Sequence, residues 1–143
     1  MRNGTVRAAG LGLVAGLALG ASALAQGYGE IGSYWAVIGP EDMFNSSGVR
    51  LTNLGAVLQQ DRANFHRFGI RHVGDEGDPV FGNPAARALI PQVYQVSGPQ
   101  PQLEAMVRAG QPFRVFVFIC GYGGTPSNVI PVPEWIGDHS GCY

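Results

Sequence analysis

The apolar residues of this chain fall into three patterns, and each predicts a different element. Near the N-terminus a continuous apolar, helix-compatible run fills positions 8–19. Two further blocks mix aromatic and β-branched residues: Ser33–Ile38, which stops at Gly39-Pro40, and Phe113–Cys120. Both predict strands. In the second block Phe113, Val115, Val117 and Ile119 take one face while Phe116, Phe118 and Cys120 take the other. Apolar residues on both faces predict a central strand covered on both sides. In the third pattern Leu54, Val57, Leu58, Phe65 and Phe68 recur at helical spacing. They predict one long amphipathic helix over Thr52–Phe68, capped by Thr52 or Asn53 and followed by Gly69.

The intervening segments read as connections and shorter elements. Residues 27–32 are glycine-rich and predict a flexible lead-in; Glu41–Gly48 and Ile70–Gly82 predict loops. Asn83-Pro84 offers a cap and a first-turn proline for a short helix that Pro91 must end. A third helix begins near Pro101, turns Leu103, Met106 and Val107 inward and stops at Gly110. Gly121–Ser127 makes a loose turn, and Asn128–Val132 returns as an edge strand because Pro131 and Pro133 cannot donate to a ladder. Together these pieces predict a small single α+β domain, a short and mostly antiparallel sheet with the long amphipathic helix packed on it.

The N-terminal run changes the picture of where that domain works. Arg2 and Arg7, the apolar run and Ala23-Leu24-Ala25 before Gln26 have the form of a secretory signal peptide over residues 1–25. A membrane anchor would need about 20 strongly apolar residues, and this run is shorter and rich in Gly and Ala, so no stable membrane insertion is expected after cleavage. Residues 26–143 are then an exported domain, periplasmic or, alternatively, extracellular. Both cysteines, Cys120 and Cys142, fall in that part and are expected to pair in an oxidising compartment.

Charge narrows the chemistry by exclusion. All nine basic residues are arginines, so lysine-dependent sites are absent: a Walker A loop, a Schiff base and a Ser-Lys pair each need an amine. Two of those arginines fall in the signal segment, and the exported part carries ten acids, which leaves it mildly acidic and argues against a nucleic-acid partner.

Candidate chemistry gathers around the end of the long helix. Asp61 falls between Leu58 and Phe65, inside the apolar stripe, where a carboxylate must be paired, hydrogen-bonded or protonated. Arg50 and Arg62 are its candidate partners. Just beyond lie His66, His72, Asp75, Glu76 and Asp78. His66 and His72 are six apart across a glycine, which fits no zinc template, and the acids lack the alternating ligands of a calcium loop, so no metal or other cofactor is expected. Asp61, His66 and His72 are candidate acid–base residues. Arg62, Arg67 and Arg71 are candidate binding residues for a phosphate or carboxylate, and Asp75 and Asp78 are further candidate binding residues. Phe44–Arg50 lacks a nucleophile-elbow pattern and reads as a side-chain-stabilised turn, Gly121–Gly124 as a strand connection, and Trp135 and Tyr143 as packing over the sheet edge.

No complete catalytic signature emerges. The sequence therefore reads as a small exported binding or accessory module whose partner is an envelope protein, a glycan or a small ligand. The alternative is a hydrolase acting on an anionic substrate through Asp61, His66 and His72 with arginines nearby.

Overall fold

Three strands carry the fold. A computed structural model describes residues 27–137 and 141–143. Residues 1–25, expected as a signal peptide, lie outside the described residues. Strand β1 spans Gly29–Ile38, β2 Phe113–Tyr122 and β3 Thr125–Pro133, and they form one antiparallel sheet in the order β1-β2-β3. The β1–β2 register runs from Ile38 opposite Phe113 to Gly29 opposite Gly121, with an irregularity between Glu30 and Gly32. The residues expected as a flexible lead-in are thus drawn into the sheet from Gly29 onward, because β2 is long enough to pair with them. The β2–β3 hairpin turns at Gly123-Gly124, both at positive φ, the backbone that a tight hairpin turn of this twist requires. The loose turn expected over Gly121–Ser127 is therefore a two-glycine reversal, and β3 starts three residues earlier than its proline content suggested. Pro126, Pro131 and Pro133 lie on this outer strand, where missing donors are tolerated.

Helices cover one face of the sheet. Helix α1 spans Leu54–Ala63 and continues through a π-type turn over Asn64–Phe68; α2 (Pro84–Ala88), α3 (Ile90–Ser97) and α4 (Pro101–Ala109) follow. Asn53 caps α1, its side chain accepting from the Ala56 N–H at 2.9 Å. Glu104 of α4 reaches the same helix end, accepting from the Leu54 N–H at 3.2 Å and from the Tyr94 hydroxyl at 2.8 Å. Three helices are thereby tied at one carboxylate, which also sits favourably at a helix N-terminus. Pro91 does not simply stop α2: it occupies the first turn of α3, where its missing N–H is no loss. That helix supplies Val93 and Tyr94 to the core.

The core confirms β2 as the central strand. Tyr34, Ala36, Ile38, Val115, Val117 and Ile119 face Leu54, Val57, Leu58 and the inner faces of α3 and α4. On the opposite face Phe118, Cys120 and Val132 form a second cluster with Phe116 and Ile130, continued by a ring contact between Trp35 and Phe116. Phe68 departs from the expected stripe and is exposed. The π-type turn, whose bonds span five residues, slips the helical phase just before it. Trp135 and Tyr143 are likewise exposed and do not cover the sheet edge.

Cys120 and Cys142 form a disulfide with Cα atoms 5.6 Å apart, joining the end of β2 to the C-terminal tail across 22 residues. Constraining a loop of that length restricts the unfolded chain by roughly 3 kcal/mol. The double variant Cys120→Ala/Cys142→Ala is accordingly expected to unfold at lower urea with about that loss; an unchanged midpoint would mean that the bridge constrains nothing the fold does not already hold.

Candidate functional site

The densest polar chemistry lies beneath the π-type turn. Asp61 and Arg62 are consecutive on α1, so they point about 100° apart, yet both are buried. Residues 69–82 fold back over this end of the helix and cover the arginine. Arg62 Nε donates to Asp61 Oδ2 at 2.7 Å, and Nη1 donates to Asp78 Oδ2 at 3.3 Å and to the Glu76 carbonyl at 2.8 Å. Its guanidinium carbon lies 3.9 Å from the centre of the Tyr34 ring and 4.8 Å from that of Phe65. Two carboxylates, a carbonyl and two aromatic faces therefore surround one permanent cation. Burial opposes its charge, but the Tyr34 phenol and the Asp61 and Asp78 carboxylates outweigh that and hold its pKa above the usual arginine value.

The aspartates respond differently to the same surroundings. Burial is the largest influence on Asp61 and lifts its carboxyl to about 7; Arg62 pulls the other way, while Asp42 and Asp75 add to the rise. Asp78 is also buried, yet the His66 ring and the Val80 and Phe81 N–H groups hydrogen-bond its carboxylate and hold its pKa below the usual range. His66 Nε2 lies 2.8 Å from Asp78 Oδ2. Of Asp61's two candidate partners, Arg62 is the real one. Arg50 instead donates to the carbonyls of Met43, Leu51 and Val107.

His72 belongs to a second cluster. Its Nε2 lies 3.0 Å from Glu41 Oε2, and its Nδ1 lies 3.6 Å from Asp42 Oδ2 and 3.5 Å from Asp75 Oδ2. The ring rests on Gly39, where a Cβ would stand 2.4 Å from Nε2, so glycine is what lets the imidazole in. Burial works against its protonation, but the Glu41 hydrogen bond and the charges of Asp42 and Asp75 raise its pKa above the ordinary value. Asp42 in turn accepts from the Gly39 N–H at 2.9 Å and from the Asn64 amide at 2.9 Å, linking this cluster to the π-type turn.

The acids of the loop also close the free edge of β1. Asp75 Oδ1 accepts from the Val37 N–H at 2.7 Å, and Glu76 accepts from the Trp35 N–H at 3.1 Å while its own N–H donates to the Trp35 carbonyl at 2.9 Å. Asp75, Glu76 and Asp78 thus each accept from backbone amides, and these amides are separate. Among the described residues, no group of three or more His, Cys, Asp or Glu is arranged to hold a metal ion.

A cleft lies elsewhere, on the outer face of α1. It encloses about 480 Å³ between Ser46 and Ser47 on one side and Pro84 and Arg87 on the other, with Gln59, Gln60 and Arg67 along its length. A smaller hollow of about 280 Å³ adjoins it, where Phe44, Phe68 and Ile70 stand among polar residues that include Glu41 and Asn64. Asn45 builds the near wall, its side chain accepting from the Ser47 and Val49 N–H groups at 3.0 and 2.9 Å, so Phe44–Arg50 is the side-chain-stabilised turn expected. Asp61, His66 and His72 line neither hollow. Of the candidate binding arginines, only Arg67 does; Arg62 is internal, and Arg71 donates to the Phe65 carbonyl and lies 4.1 Å from that ring's centre.

Sequence reasoning missed Tyr34, Glu41, Asp42 and Asn64, which join the clusters from three other segments, and it missed Arg87. The one available signal for Arg87 is its place as the sole charged residue of a short alanine-rich helix.

The His72 cluster predicts a pH dependence with a definite sign. A histidine whose folded pKa is raised binds a proton that the unfolded chain has released, so its contribution is complete below about 6.5 and is lost as pH rises through the folded value. Urea unfolding at a series of pH values is expected to show wild type more stable than His72→Gln in mild acid, with the gap closing as the solution becomes alkaline. A gap that does not depend on pH would contradict the charged cluster.

Compared with protein-family models, curated protein sequences and solved structures, the chain shows no match.

Proposed function

We propose that this chain is a small exported binding or accessory module, and that the cleft along the outer face of α1 is its ligand surface. The single observation that carries this reading is the separation between acid–base chemistry and open space. Asp61, His66 and His72 are each held by partners within the chain and line neither hollow, whereas the cleft is bordered by amides, hydroxyls and two guanidiniums. A hydrolase needs its acid, base and substrate position within hydrogen-bond reach of one another. A cleft of this size suits a small molecule or a short stretch of glycan or peptide. The signal-like leader and the Cys120–Cys142 bridge support work outside the cytoplasm.

The runner-up remains hydrolysis of an anionic substrate. It draws on one observation, an imidazole (His66) oriented by a buried carboxylate (Asp78).

The test is a chemical-shift screen of the mature chain against small saccharides, dicarboxylates and phosphates, with Ala56→Trp as a variant that fills the cleft. Binders are expected to move the amides of Ser46, Ser47, Gln59 and Gln60 saturably and to lose that effect in Ala56→Trp. Turnover of p-nitrophenyl phosphate that disappears in His66→Gln would overturn the reading in favour of the hydrolase.

A further inference from the structure

We propose that the ligand of the α1 cleft is a small molecule bearing a carboxylate or phosphate group, and that Arg87 is its anchor. The inference rests on the binding reading above and specifies what the cleft selects.

Two arginines are buried among the described residues, and their surroundings differ. Arg62 has two carboxylates within salt-bridge distance. Arg87 is only 7% exposed, yet no carboxylate among the described residues forms an ion pair with it. Its Nη1 donates to the Phe81 carbonyl at 2.7 Å and to the Gly82 carbonyl at 3.2 Å, which fixes the guanidinium without neutralising it. A guanidinium cannot shed its proton to escape burial. The described residues supply it no counter-charge, and an anion in the cleft would provide one.

The surroundings fit such a group. Arg87 borders the cleft, and Arg67 contributes a second cation to it. Neither Asp nor Glu lines this hollow, and the Ser46 and Ser47 hydroxyls and the Gln59 amide add neutral donors. A planar guanidinium already held at one end presents its remaining N–H groups in the fork geometry that carboxylates and phosphates accept. The smaller hollow beside it offers the uncharged part of such a molecule the Phe44, Phe68 and Ile70 side chains, while its Glu41 carboxylate favours seating the anionic group in the larger cleft.

The test compares galacturonate with galactose, which differ by one carboxylate, alongside inorganic phosphate, at constant ionic strength. The readout is the Arg87 side-chain Nε–Hε signal together with the Ser46, Ser47 and Gln59 amides. Galacturonate or phosphate is expected to shift these saturably, galactose much less. Arg67→Gln, an exposed change that leaves the Phe81 and Gly82 carbonyls held, should weaken the anion about tenfold. Arg87→Lys should weaken it at least as much, with its melting temperature measured separately to exclude a folding defect. Galactose moving the cleft as strongly as galacturonate would overturn the anion requirement while leaving the binding cleft in place. Anion shifts confined to residues away from α1 would overturn the site itself, and no response to any probe would overturn both the site and the binding reading.

Discussion

The guanidinium of Arg62 is the constraint around which this small domain is arranged. A permanent cation in the middle of a single hydrophobic core must be surrounded by negative or π-rich groups, or the fold loses several kcal/mol. The chain meets that demand from four places: Asp61 on the same helix, the Tyr34 ring on β1, Phe65 in the π-type turn, and Asp78 and Glu76 on the loop that follows. Because these groups come from separate segments, satisfying one arginine fixes the relative positions of a helix, an edge strand and a loop of over ten residues. Such a loop would otherwise be hard to order in a domain of this size.

Much of the apparently catalytic vocabulary also makes contacts that hold the fold together. Asp75 and Glu76 cover the open edge of β1, which would otherwise expose unpaired backbone groups. Asp78 orders the backbone of Val80 and Phe81 while it holds Arg62 and His66. His72 gathers Glu41, Asp42 and Asp75 and so joins the turn after β1 to the loop. With those groups committed, the chemistry open to a ligand moves to the outside of α1, where Arg67, Arg87 and neutral donors border the cleft. The core network therefore builds the helix end, and the helix end borders the cleft proposed as the ligand surface.

Much of the fold was legible because it depended on local rules. The two-sided apolar pattern of Phe113–Cys120 marked the central strand, and the Asn53 cap marked the start of α1. The anomaly of Asp61 was legible as well, since a carboxylate inside an apolar stripe announces a partner. Which arginine answers it was not, because only the folded chain shows Arg50 committed to the Met43, Leu51 and Val107 carbonyls. Phe68 was misplaced because a π-type turn shifts the helical phase without leaving a mark in the hydrophobic spacing. Pro91 was read as a terminator because the residue that cannot continue one helix can equally begin the next. Arg87 escaped notice because its significance is that no described carboxylate pairs with it, which spacing along the chain cannot reveal.

The most direct test of this account is native-state amide hydrogen exchange in Arg62→Met, with Asp78→Asn as the milder variant. Both remove one side of the buried charge network, which should cost about 3–5 kcal/mol where the remaining charge is left unpaired. The account predicts that the amides of Trp35, Val37, Glu76, Val80 and Phe81 lose protection together as the loop releases β1, while the β2–β3 ladder remains the better protected part. Retention of wild-type protection at those five amides would contradict the central role of Arg62.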